Sequence, residues 1–144
     1  MKRLHLVVGL FVVVAFLLTG QFMDHHHPKM SDLDDGTRMM FRSRHIYLLL
    51  AGLVNLGIGM YFSYRTGRWQ KLLQAIGSTL IIIAPFLSIA AFFYEPTIQG
   101  LQRTFSLPAI VALLAGTLFH LISGVRQGRN TVITHDATPY GLIN

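Results

Sequence analysis

The chain predicts an all-α integral membrane protein, a bundle of four transmembrane helices with both termini on the inner side and a short interfacial helix in the first outer loop. Three observations predict it. Four apolar stretches, 4–22, 45–64, 72–93 and 107–125, each run for about 20 residues, the length a helix rising about 1.5 Å per residue needs to cross a hydrocarbon core about 30 Å thick. The 144 residues are 52% hydrophobic and only 12% charged, against about 25% charged in soluble domains. The charges are also unevenly placed. With the N-terminus inside, the inner segments hold Lys2, Arg3, Arg65, Arg68, Lys71, Arg126 and Arg129 against Asp136 alone, so that side carries the whole net charge of +6. The outer segments balance Lys29, Arg38, Arg42, Arg44 and Arg103 with Asp24, Asp32, Asp34, Asp35 and Glu95. Orientation follows the Lys/Arg bias of short loops, which favours N-in and C-in. The basic excess then reads as an insertion signal and a contact for anionic lipid, not as a nucleic-acid footprint.

The first span opens with Met1-Lys2-Arg3 and an apolar core, the opening of a signal peptide. No small-x-small cleavage site follows and the apolar run continues to Phe22, so the span is expected to be retained. The outer loop 23–44 is next. Ser31, with Asp34 three residues on, resembles a capping box, with acids near the positive end of a helix dipole and Arg38, Arg42 and Arg44 near its negative end. An interfacial helix over about 32–42 follows, with Leu33, Met40 and Phe41 resting on lipid or on the bundle. The short turn 65–71 forces spans two and three into an antiparallel hairpin. Trp69, Tyr61, Tyr64 and Tyr94 suit the interfacial aromatic belt. Pro108 fits the first turn of span four. Residues 1–130 form one membrane domain, and 131–144 a polar, aperiodic and mobile tail.

At 100° per residue, polar and small residues fall on single faces. Span one offers His5, Gly9, Thr19 and Gly20; span two His45, Gly52, Asn55, Gly59 and Ser63; span three Gln74, Gly77, Ser78, Pro85 and Ser88; span four Gly116, His120, Ser123 and Gln127. Small residues let helices approach closely in lipid and polar ones bond across the interface, so these faces should point inward, with Asn55, Gln74, Ser78, Ser88 and Ser123 as the polar packing positions. Pro85 should bend span three, and Ser88 or a neighbouring helix should satisfy the carbonyl it frees.

His120 is an ionisable side chain well inside a span, which by default marks a site. His5 enters span one from the same side, and two imidazoles from different helices are the usual axial pair of a b-type haem. The competing expectation is a neutral His120 bonded to Ser123, Asn55 or a carbonyl. A second constellation lies outside: His25, His26 and His27 with Met23 and Met30, followed by Met39, Met40 and His45. Imidazole with thioether suits copper, although three adjacent histidines are often a solvated, weakly chelating tract.

Several classes are excluded. The sequence has no nucleotide-binding glycine loop, no HExxH and no nucleophile elbow. No Asp or Glu lies within an expected span, which argues against a proton- or cation-coupled carrier. Zero cysteines exclude disulfides and thiolate sites. The expectation is a multi-pass protein of a bacterial inner membrane that is not an enzyme and acts by binding or assembly, as an accessory subunit or small oligomer with other membrane subunits or itself as partner. The alternatives are a haem-carrying redox subunit through His5 and His120, and a copper-handling protein through the outer His/Met loop.

Overall fold

A computed structural model describes residues 1–25, 29–97 and 103–135, with side chains through residue 124, Thr97 excepted. Within these, α1 (Lys2–His25), α2 (Asp35–Tyr61), α3 (Arg68–Tyr94) and α4 (Ser106–His135) are joined by connections that include two short 3-10 turns, Met30–Asp32 and Glu95–Thr97. No strand occurs among the described residues. Three helical segments, Lys2–His25, Arg68–Tyr94 and Ser106–Gly124, are long and apolar enough to cross a membrane. α2 matches α3 at 27 residues, but its first turns are charged and its middle carries His45 and Asn55.

Several boundaries differ from the sequence expectation. No separate interfacial helix forms over 32–42. Asp34 caps α2 by accepting from the Thr37 N–H at 2.9 Å, and residues 35–42 are simply the first turns of that helix. Ser31 belongs instead to the preceding 3-10 turn. A capped, helix-compatible polar segment running into an apolar one carries no stop signal, so the helix continues through it. At its other end α2 stops at Tyr61, three residues before the expected end of the span. The Ser63 carbonyl is taken by the Gln74 Nε2 amide at 2.7 Å, and Gln70 Oε1 accepts from the Gly67 N–H at 3.3 Å, which starts α3 at Arg68. At the C-terminus, the backbone expected to become aperiodic from Thr131 stays helical to His135, and residues 136–144 lie outside those described.

α1 packs chiefly on α2 and α4 on α3, and the two pairs meet through α2 and α3. Partners run in opposite directions, as Gly9 against Leu56 and Val12 against Gly52 show for α1 and α2. Closest approach falls at small residues. A Cβ on Gly77 would lie 2.8 Å from the Gly116 carbonyl oxygen, and one on Gly116 would lie 2.6 Å from Ile81 Cγ1. The α3 and α4 backbones therefore touch, the arrangement that small-xxx-small surfaces allow in lipid.

The distribution of polarity is inverted relative to a soluble domain. His5, Asn55, Ser78, Glu95 and Ser123 are fully buried, while Leu10, Phe11 and Leu17 of α1, Ile83 and Phe86 of α3, and Leu114 and Leu118 of α4 face outward. Water would penalise both halves of that arrangement; hydrocarbon outside reverses the sign for the apolar half and makes interior pairing obligatory for the polar half.

Gly116→Val should lower the thermal midpoint of the detergent-solubilised protein by the equivalent of about 1–3 kcal/mol through overpacking. Gly57→Ala is the control, because a Cβ there meets nothing within 4 Å and should leave the midpoint unchanged or raise it. Equal midpoints for the two variants would contradict the backbone contact.

Candidate functional site

Pro85 has no N–H, so the Ile81 carbonyl one turn earlier loses its helical donor. Asn55 of α2 supplies the replacement: its Nδ2 donates to Ile81 O at 3.0 Å and to Ala51 O at 2.9 Å. With both amide hydrogens committed, its Oδ1 is the acceptor, and His5 Nδ1 of α1 lies 2.9 Å away. His5 is thereby fixed as the tautomer protonated at Nδ1. Its Nε2 then holds a lone pair with no partner among the described residues, and the residue is fully buried.

Beyond His5 stands His120. The ring centroids are 6.1 Å apart at a near-perpendicular angle, and His120 Nε2 is hydrogen-bonded to Ser78 Oγ of α3 at 3.0 Å. The partner of His120 is therefore Ser78, not Ser123 or Asn55. Ser123 bonds to the His120 carbonyl at 2.8 Å and Ser88 to the Ala84 carbonyl at 2.9 Å, so both hydroxyls serve their own helices rather than the interfaces between them. Phe62, just past α2, completes the cluster, with its ring centroid 5.9 Å from His5 and 5.9 Å from His120.

These three rings form a near-equilateral triangle, so Phe62 fills a sector of the plane midway between the two imidazoles. An axial pair would need a flat macrocycle in that plane. His120 Nε2 is committed to Ser78, and α3 and α4 touch at Gly77 and Gly116, one turn from His120. The two histidines meet, but the described packing offers a haem no slot. What the arrangement can do chemically is accept one proton at His5 Nε2 beside a second imidazole.

The outer constellation does not gather among the described residues. His25 is exposed, with Nδ1 3.0 Å from the Gln21 carbonyl oxygen. Met23 and Met30 are half-buried, and Met39 is exposed. His45 turns into the α1–α2 interface, stacked on Phe16 at 4.0 Å and bonded to Thr19 Oγ1 at 3.0 Å. His26 and His27 lie outside the described residues, among which no group of three His, Cys, Asp or Glu could hold a metal ion.

A second buried polar centre stands at the opposite end of the helices, and sequence reasoning missed it. Arg44, expected near the end of an interfacial helix, is only 4% exposed, and its Nε donates to Glu95 Oε2 at 2.6 Å. The other carboxylate oxygen accepts from the Phe105 and Ser106 N–H groups at 2.7 and 2.8 Å, which places a full negative charge at the N-terminus of α4. Glu95 thus ties α2 to α4 from the end of α3. Burial by itself would raise its pKa; the bonds from Ser106, Phe105 and Arg44 outweigh that and hold it below the ordinary carboxylate value. The signal available in the sequence was that Glu95 is the only glutamate and stands between two apolar spans; its pairing with a residue 51 positions away was not readable.

Comparison of the chain with family models, with curated proteins and with solved structures finds no match.

A carboxylate whose folded pKa is lowered contributes stability that is present above its unfolded pKa and is lost as pH falls through the folded value. The thermal midpoint of the native protein in detergent should accordingly fall on acidification below about pH 4.5. Glu95→Gln should lower the midpoint at pH 7 by the equivalent of about 3–5 kcal/mol, because it leaves Arg44 buried without its counter-charge, and should flatten the acid dependence. An unchanged acid profile in Glu95→Gln would exclude Glu95 as its source.

Proposed function

We propose that this chain is a multi-pass protein of a bacterial inner membrane, a four-helix bundle with both termini on the cytoplasmic side, that acts by binding and assembly as an accessory subunit or small oligomer. One observation carries this reading. The polar side chains buried among its helices bond to one another or to backbone: His5 to Asn55, His45 to Thr19, Ser78 to His120, and Gln74 to Ser63. Such a set holds helices together, and among the described residues it commits these polar groups to one another and to backbone, whereas a carrier would line a path with them. The reading treats α2 as the fourth span. Its charged first turns would lie at the outer interface, and its central polar groups are satisfied by α1 and α3, which removes the main cost of placing them in hydrocarbon.

The Lys/Arg bias supports the orientation. The outward apolar faces of all four helices are the surface available to lipid, to a second copy or to a partner's helices. Haem through His5 and His120 is not favoured, because Phe62 and the Ser78 bond occupy what the macrocycle and its axial bond would need. Copper through Met23, His25, His26, His27, Met30 and His45 is not favoured, because His45 faces α1.

The test is elemental analysis of the protein purified in mild detergent, combined with crosslinking in the membrane. The expected result is no iron or copper near one per chain, an unchanged visible spectrum in His120→Ala, and a crosslinked species larger than the monomer. Stoichiometric iron with an absorption band lost in His120→Ala, or stoichiometric copper lost when His25, His26 and His27 are replaced, would overturn the binding-and-assembly reading.

A further inference from the structure

The described part of the end that carries the 62–67 turn holds five basic side chains, Lys2, Arg3, Arg65, Arg68 and Lys71, and no Asp or Glu. The opposite end carries acids as well as bases and satisfies several of them internally, with Arg44 on Glu95 and Arg38 on Asp35. Among the described residues that end therefore carries an excess of positive charge.

Two cavities open at that end, and Lys71 lines both. The first, of about 350 Å³, is lined by Phe62, Tyr64, Arg65, Lys71 and Gln74 among others. The second, of about 690 Å³, is lined by Arg68, Trp69, Lys71 and Leu72. The first is the better built. Arg65 is half-buried and directed across to α4, where its Nη2 stands 3.0 Å from the place a Cβ on Gly124 would occupy. Gln74 is fixed by its bond to the Ser63 carbonyl. Phe62 is held against both imidazoles. These walls are set by packing before any ligand arrives, and preorganisation of this kind lowers the cost of binding.

The surroundings decide the chemistry of the ligand. Tyr64 and Trp69 are exposed beside the cavities, as interfacial aromatic residues are. Along α3, directly past Lys71, Leu72, Ala75 and Ile76 face outward and present an apolar track. A cationic head site, an aromatic rim and an apolar track in sequence match an anionic amphiphile with its headgroup at the membrane surface.

We infer that the cavity between Tyr64, Arg65 and Lys71 binds an acidic phospholipid, with the phosphate between the Arg65 guanidinium and the Lys71 ammonium and the acyl chains descending α3 past Ala75 and Ile76. Arg65 brings a guanidinium charge to the cavity wall and Lys71 an exposed ammonium. Phe62 is shared between this cavity and the His5–His120 cluster, so the lipid site adjoins the buried polar centre. The inference rests on the reading that α3 crosses a bilayer.

The test is native mass spectrometry of the full chain released from nanodiscs made of equal parts phosphatidylglycerol and phosphatidylcholine. The expected result is preferential retention of phosphatidylglycerol, reduced about fivefold by Lys71→Gln, the loss of roughly one cationic contact at a membrane surface. Lys71 is exposed, so that variant should fold. Arg42→Gln removes the same charge from the opposite end and should leave retention unchanged. Equal retention of both lipids, or an equal effect of Arg42→Gln and Lys71→Gln, would overturn the site. Displacement of phosphatidylglycerol by inorganic phosphate would also overturn it, by assigning the cavity to a soluble anion. Failure of the chain to enter nanodiscs at all would contradict the membrane reading instead, so the two failures are distinguishable.

Discussion

Pro85 removes one hydrogen-bond donor from the middle of α3, and the packing of three helices follows from how the orphaned carbonyl is satisfied. Asn55 reaches from α2 to Ile81 O, and the orientation this imposes on its amide leaves Oδ1 to receive His5 of α1. One side chain thus sets the register of α2 against α3 and of α1 against α2. In water such a carbonyl could bond to solvent; between apolar helices it must find a protein donor or cost several kcal/mol. His45 and Asn55, the polar groups in the middle of α2, are thus the ones that bond to its neighbours.

The two ends of the molecule solve the same problem with different chemistry. At the basic end, imidazoles, an amide and the Ser78 hydroxyl pair across interfaces, and Lys2, Arg3, Arg68 and Lys71 are exposed while Arg65 is half-buried. At the other end, charge itself is buried, and Glu95 is tolerated because it meets Arg44 on one oxygen and two backbone N–H groups at the start of α4 on the other. A pair of this kind is worth little over apolar packing when complete but costly when broken. Its geometric consequence is a defined docking point, since the carboxylate meets the Phe105 and Ser106 N–H groups at the start of α4.

Hydropathy made three helices legible, because a long apolar run has few alternatives to a spanning helix. The helical period likewise gave the faces that carry Gly9, Asn55, Ser78 and Gly116. The start of α2 was less legible, because residues 35–42 have the caps and charges of an interfacial helix and nothing in a linear pattern says whether the next turn continues. The Arg44–Glu95 pair could not be read, since its members sit in segments that look like solvated loop and turn. The convergence of His5 and His120 could be guessed from depth along the helices. The partners that decide what they do, Asn55, Ser78 and Phe62, depend on the rotation of α2 and α3, which sequence spacing leaves open.

The most direct test of this account is a double-mutant cycle between Asn55 and Pro85, read as unfolding free energy in detergent. Asn55→Ala in the native background should be destabilising. In Pro85→Ala, where residue 85 again offers an N–H to Ile81 O, the same substitution should cost less, with a coupling of about 0.6–1.7 kcal/mol, the scale of interhelical bonds in membranes. Strictly additive effects would contradict the claim that Asn55 is held in place by the carbonyl that Pro85 frees.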